Sequence, residues 1–219
     1  MIDLRLNAIV DPERANGRAL DDLTRMVVAG GATLIQLRDK QGSTRRMIEQ
    51  AHAIMAVLAG TGVKLVVNDR VDVALIAGAD GVHVGQDDMR VEDARRLLGP
   101  KAIIGLSIKT VALANAAPID LLDYVGVGGV YATTSKDNPN APIGIAGLRD
   151  IVAAFRARKR GFPIVGIAGI DAGNAADVIA AGADGVAVIS ALSMKDDPQA
   201  AARELRGIVD GALAARSRQ

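Results

Sequence analysis

The chain carries Ala77-Gly-Ala-Asp-Gly-Val-His-Val84 and, further on, Ala181-Gly-Ala-Asp-Gly-Val-Ala-Val188, with a looser copy at Ala29-Gly-Gly-Ala-Thr-Leu-Ile-Gln-Leu37. In each copy a helical pattern ends at glycine and a short turn leads into an apolar run. Glycine supplies the left-handed cap that stops the helix, and the apolar run reads as a strand buried on both faces. Each copy is therefore the junction between a helix and the next parallel strand. The two closest copies start 104 residues apart, which is four units of 26.

Pacing the chain at that period finds eight short apolar runs: Arg5 to Val10, Leu34 to Arg38, Lys64 to Asn68, Gly81 to Gly85, Ile103 to Ser107, Tyr124 to Gly128, Ile164 to Ala168 and Val186 to Ser190. Amphipathic stretches lie between them, clearest at Thr44 to Leu58 and at Pro198 to Ala215, where Asp197 or Asp196 offers an N-cap before the proline. Eight strands alternating with helices through right-handed parallel crossovers form a (β/α)8 TIM barrel. An open doubly wound sheet would alternate in the same way, but it predicts a glycine fingerprint after the first strand. Asp11-Pro-Glu-Arg-Ala-Asn-Gly17 follows instead. With 219 residues, no linker and no break in composition, residues 1–219 are expected to form one domain, a compact barrel of the α/β class.

Composition narrows the function. Lys plus Arg number 26 against 25 Asp plus Glu, and two Phe, two Tyr and no Trp accompany them, so neither an electrostatic footprint nor a stacking platform for nucleic acid is present. Cysteine is absent, which excludes thiol nucleophiles, disulfides and Cys-ligated metals. The alternating start Met1 to Val10 lacks the pattern of a signal peptide, and no apolar run reaches about 18 residues. A cytoplasmic protein without membrane partners is expected; a homo-oligomer is left open.

Chemistry in such a barrel gathers at the carboxyl ends of the strands. There the chain places Gln36, Arg38 and Lys40, then Asn68, Asp69 and Arg70, then Gln86, Asp87 and Asp88, then Ser107, then Thr133 to Lys136. The period of two turns Gln36 and Arg38 to the barrel axis, and the repeats set His83 and Ala187 level with Gln36. A cation at Arg38 facing the axis is costly unless paired or bound to an anion, so an oxyanion held by Arg38, Lys40 and Lys136 is expected. Its natural companion is a divalent cation. Asp69 and Asp88 end adjacent strands and can converge on Mg²⁺, whose remaining positions suit water and phosphate oxygens. At the same places Asp69, Asp87 and Asp88 are also plausible helix N-caps.

A second anion site is expected after the last two strands, at Gly166-Ile-Ala-Gly-Ile170 with Asn174 and at Val188-Ile-Ser190, where exposed backbone N–H groups suit phosphate. Glycine there equally serves a tight turn. His83 reads as a hydrogen-bonded residue one layer below the mouth, and His52 as surface or packing. Ser107 has no histidine at a hydrolase spacing, so its hydroxyl reads as a hydrogen-bond donor to a leaving group rather than a nucleophile.

These motifs together, Gln36-Leu-Arg-Asp-Lys40, Asn68-Asp-Arg-Val-Asp-Val-Ala-Leu75, Ala79-Asp-Gly-Val-His-Val-Gly-Gln-Asp-Asp88, Ile104-Gly-Leu-Ser107, Asp123-Tyr-Val-Gly-Val-Gly128 and Thr133-Thr-Ser-Lys136 with Pro142 and Gly144, resemble the thiamine phosphate synthase family from Gln36 to Ser190 and into the closing helix. The resemblance implies a transferase of thiamine biosynthesis that joins hydroxymethylpyrimidine diphosphate to thiazole phosphate. It implies Gln36, Arg38, Lys40, Asn68, Ser107 and Lys136 around the pyrimidine diphosphate, with Ser107, Lys136 and Arg38 assisting departure of diphosphate. It further implies Asp69 and Asp88 on Mg²⁺, and Thr133, Ser135, Gly169, Ile189 and Ser190 around the thiazole phosphate. Three departures accompany it. Ala168 stands where a second glycine is common, and Gly129 and Ala132 replace prolines of the sixth loop. A thiazole tautomerase-like paralogue, which would not need the diphosphate and metal set of Arg38, Lys40, Asp69 and Asp88, and a non-catalytic barrel that binds Mg²⁺-diphosphate without turnover are the alternatives.

Overall fold

A computed structural model describes residues 2–134 and 141–218. Eight parallel strands close in chain order: β1 (Leu6–Val10), β2 (Leu34–Leu37), β3 (Lys64–Asn68), β4 (Gly81–Val84), β5 (Ile103–Ile108), β6 (Tyr124–Gly128), β7 (Ile164–Ile167) and β8 (Gly185–Val188), with β8 pairing back on β1. Helices α1 (Leu20–Ala29), α2 (Thr44–Leu58), α3 (Val71–Ala77), α4 (Val91–Leu98), α5 (Val111–Ala116), α6 (Gly144–Arg158) and α7 (Ala175–Ala180) separate successive strands. A short α8 (Ser190–Ser193) and the long α9 (Pro198–Arg216) follow the last. The expected (β/α)8 barrel is the observed one.

Local chemistry accounts for the boundaries. Asp197 accepts from the Ala200 amide and Pro198 occupies the first turn, so α9 starts where the sequence placed it. Gly78, at φ 70°, closes α3 in the left-handed conformation read from the repeat. Each strand lies within about two residues of its apolar run. The eighth differs most: Ser190 is not the end of a strand but the first residue of α8.

Alternation sorts the strand side chains. Outward residues such as Ile35, Leu37, Val67, Val82, Val84 and Ile104 meet the helices in a large core, with Leu148, Phe155 and Val178 among their partners. Inward residues Ile9, Leu34, Val66, Tyr124, Val165 and Ala187 fill the barrel itself. Register aligns Asn68 of β3 with His83 of β4, and His83 with Gly105 of β5. Polar inward residues of the third, fourth and fifth strands are thereby stacked beneath one side of the mouth.

Candidate active site

The carboxyl ends of β1 to β5 form a charged wall. Arg38, just past β2, has a side chain only 15% exposed and forms an ion pair with the fully buried Asp11 beyond β1. Asp11 also accepts from the Glu13 amide at 2.9 Å, so its carboxylate is tied to the turn that follows its strand. The cost of facing Arg38 toward the axis is therefore met by a protein carboxylate, the pairing alternative to the bound oxyanion that was expected there. Asp11 was not among the expected site residues. Its one sequence signal was an acidic residue directly at the end of the first strand.

Lys40 reaches across from β2 to pair with Asp69 at the end of β3. Between the two cations Asp39 is buried, and its Oδ1 accepts from the amides of Gln41 (3.1 Å) and Gly42 (2.6 Å), folding the loop that carries Lys40. Asp69 does not cap α3: the N-cap position belongs to Arg70, which makes no side-chain cap, and Asp69 adopts the left-handed conformation at φ 62°. Burial pushes the Asp69 carboxyl above its usual range, against the pull of Lys40, and the hydrogen-bonded Asp88 adds to the rise. Asp88 is not a cap either. Its Oδ2 accepts from the Gly85 amide at 2.7 Å, and α4 begins after Arg90. Asp87 is exposed in the same turn.

Two carboxylates in contact, one of them partly desolvated, fit a hard divalent cation better than they fit each other. Among the described residues no group of three His, Cys, Asp or Glu side chains gathers for a metal, so a cation held at Asp69 and Asp88 would take its other ligands from phosphate and water. That suits Mg²⁺, which keeps several waters and is commonly bound through one or two carboxylates and substrate phosphates.

Deeper in, Gln36 and His83 are buried and Asn68 and Ser107 half-buried. His83 sits one layer down, as expected, but its partners were not foreseen. Its Nε2 lies 2.9 Å from Ser107 Oγ and its Nδ1 2.9 Å from the Tyr124 hydroxyl. Ser107 thus does have a histidine neighbour, on the adjacent strand. Gln86 Nε2 donates to the Ser107 carbonyl at 2.6 Å and fastens the end of β5 to the loop after β4. His52 is exposed on α2.

Beside this wall lies a cleft of about 480 Å³ lined by Thr133, Ala168, Gly169, Ile189, Ser190 and Lys195, among others. Gly169 answers the choice between tight turn and phosphate loop with a third requirement: a Cβ there would strike the Ala132 carbonyl, and its φ is 66°. Backbone bonds from Val130 to Ile167 (2.9 Å) and from Tyr131 to Ala168 (3.1 Å) hold the same two loops together. Asn174 braces the seventh loop, donating to the Gly169 carbonyl at 2.9 Å and accepting from the Asp171 amide at 3.0 Å. Ala168 takes the left-handed conformation at φ 79°, which a side chain with a Cβ adopts at a cost. Of the expected residues, Ser135 and Lys136 lie outside the described ones.

Fold and mouth together define a TIM barrel with an enzyme-like site at its carboxyl end, in which a carboxylate–cation wall adjoins a cleft of small residues. The sequence profile of the thiamine monophosphate synthase family matches residues 6–192. The chain is 50% identical over 215 residues to the thiamine-phosphate synthase of Agrobacterium fabrum, covering 98% of each chain. It is 48% identical to that of Chloroflexus aurantiacus over 95% of this chain and 94% of the other. A solved thiamine phosphate pyrophosphorylase from Pyrococcus furiosus superposes with a TM-score of 0.84 at 37% identity, covering 97% of this chain and 98% of the other. The chain belongs to the thiamine monophosphate synthase family.

Proposed function

We propose that the chain is a thiamine-phosphate synthase, a transferase that joins 4-amino-5-hydroxymethyl-2-methylpyrimidine diphosphate to thiazole phosphate and releases diphosphate. The observation that carries the reading is the meeting of Asp69, Asp88, Lys40, Arg38 and Ser107 around one side of the mouth, next to a cleft of a size for a second small ligand. A profile match and near-full-length relatives of that name support it.

In this reaction the bond between the pyrimidine methylene carbon and the diphosphate oxygen breaks, and diphosphate leaves with the electron pair. A bond from the thiazole nitrogen to the same carbon forms. The aminopyrimidine spreads the positive charge left on carbon, so the barrier lies chiefly in the departure of diphosphate. Asp69 and Asp88 would hold Mg²⁺, which supplies charge neutralisation on the diphosphate when bound. Arg38 and Lys40 would turn from Asp11 and Asp69 toward phosphate oxygens, with Lys136 as a third cation and the Ser107 hydroxyl as a donor to the leaving oxygen. Gln36 and Asn68 would orient the pyrimidine.

Thr133, Ser135, Gly169, Ile189 and Ser190 would seat the thiazole phosphate in the cleft. Anchoring its phosphate aims the ring nitrogen at the reacting carbon and replaces a bimolecular encounter by an oriented one. That nitrogen carries no proton, so no general base is needed.

The test is diphosphate release by the purified chain given both substrates and Mg²⁺, with chelator and single-substrate controls. Release coupled to thiamine phosphate and dependent on Mg²⁺ is the expected result. Saturable ligand binding without release would point to the binding barrel or the tautomerase instead.

A further inference from the structure

Three inward-facing side chains form an unbroken line beneath the mouth: the Tyr124 hydroxyl on β6, the His83 ring on β4 and the Ser107 hydroxyl on β5. Tyr124 is fully buried and His83 is 5% exposed, whereas Ser107 is half-buried and reaches the mouth. The barrel makes room for the line. Gly105, which stands between the two rings on the neighbouring strand, has no side chain there, and a Cβ would overlap both the Tyr124 ring and the His83 ring.

Counting donors and acceptors sets the direction of the line. Among the described residues His83 is the hydrogen-bond partner of the Tyr124 hydroxyl. If that hydroxyl accepted from Nδ1–H, its own proton would be buried without an acceptor, which is the costlier arrangement. Burial also drives the Tyr124 ionisation far upward, so the proton stays on the phenol oxygen. Tyr124 therefore donates to Nδ1. The neutral ring then carries its proton on Nε2 and donates to Ser107 Oγ. One lone pair of Ser107 is thereby occupied from below, and its O–H is left to donate upward into the site.

We infer that Tyr124 and His83 are positioning residues that present Ser107 as a hydrogen-bond donor, not an acceptor, to the oxygen of the departing diphosphate. The role of Ser107 rests on the synthase reading above; the direction of the line beneath it does not. A donor already aimed at the place where negative charge grows needs no reorientation when the bond breaks, so the effect falls on turnover rather than on binding.

The experiment has two arms. With two histidines in the chain, nitrogen-15 NMR of His83 is readily assigned against His52 in the intact protein. The proton is expected on Nε2, and Tyr124→Phe is expected to relax that preference; a proton on Nδ1 in the unsubstituted protein would overturn the inference. In the kinetic arm, Tyr124→Phe and His83→Ala are expected to lower kcat about tenfold with little change in KM. His83→Gln, whose amide can stand in for the Nε2 donor, should recover part of that loss. In a Ser107→Ala background the same substitutions are expected to add less than about twofold. Full multiplication of the losses in that background would mean that the two residues serve only the core, and would overturn the proposal. If the unsubstituted protein turned over neither substrate, the synthase reading would fail while the NMR arm still decided the direction of the line.

Discussion

The two ends of the barrel use the same kinds of side chain in opposite ways. At the amino end, Asp80, Asp123 and Asp184 each accept from a strand amide, those of Leu65, Ile104 and Ile164, at 2.9, 2.9 and 3.0 Å. Each also holds a cation: Lys64 at 2.9 Å, Arg95 at 2.7 Å, and for Asp184 both Arg156 at 2.7 Å and Arg216 at 3.0 Å. Thr33 completes the pattern on β1, its Oγ1 accepting from the Leu6 amide at 3.0 Å. A carboxylate bound to a backbone N–H cannot exchange that partner without opening the sheet. At the carboxyl end, Asp11 and Asp69 face the tips of Arg38 and Lys40, long side chains that can swing to another oxyanion. At the amino end the carboxylates are anchored to strand amides as well as to cations and build the fold; at the carboxyl end the backbone partners of Asp11 and Asp88, the Glu13 and Gly85 amides, lie in the turns after the strands, where the site is built.

Substitutions at the two ends should separate activity from stability. The largest effect is expected from Asp69→Asn or Asp88→Asn: steady-state turnover with saturating substrates should fall on the order of 10²–10³-fold, with thermal unfolding little changed. Next comes Asp184→Ala at the other end, which leaves two arginines and the Ile164 amide without their partner. A loss of about 2 kcal/mol, discounted because all three side chains are partly solvated, should appear as a lower denaturation midpoint. The kcat/KM of the folded fraction should be unaltered.

Arg38→Ala tests whether the pairing with Asp11 is exchangeable. The KM for the pyrimidine diphosphate should rise roughly tenfold, whereas the KM for the thiazole phosphate should stay near its original value. Equal increases in both would place Arg38 in the general architecture of the mouth. The smallest effect is expected from Ala168→Gly, which relieves a left-handed alanine beside the cleft. A gain of about 1 kcal/mol should raise Tm by a few degrees, and a loss of stability would show that the methyl group packs usefully at its 8% exposure.

Much of this was legible in the sequence because parallel strands buried on both faces read as continuous apolar runs. The repeat at Ala77 and Ala181 placed two helix-to-strand junctions and with them the period of the whole barrel. Legibility fell where a decision depends on a partner distant in sequence. Asp69 and Asp88 sit just ahead of helices, where a ligand and an N-cap look alike, and only the observed caps and the contact between the carboxylates separate the two readings. Asp11 escaped notice because its partner lies 27 residues away. The contact between His83 and Ser107 follows from the topology: with β4 beside β5, an inward residue on one strand meets inward residues on the other, a relation that hydrolase spacings along the sequence do not encode. Ala168 stands out in the sequence as a departure from a family pattern, but its strain comes from a φ of 79° that sequence does not print.

The division of labour between the two ends of the barrel is tested most directly by a Mg²⁺ titration of turnover in the unsubstituted chain, Asp69→Asn and Asp184→Ala, with Tm recorded on the same samples. The expected result is a Mg²⁺ response abolished or shifted far to higher concentration in Asp69→Asn at unchanged Tm. Asp184→Ala should keep the original Mg²⁺ curve at a lowered Tm. Identical Mg²⁺ curves for the unsubstituted chain and Asp69→Asn, or a Mg²⁺ response displaced as far by Asp184→Ala, would contradict the division of labour between the two ends.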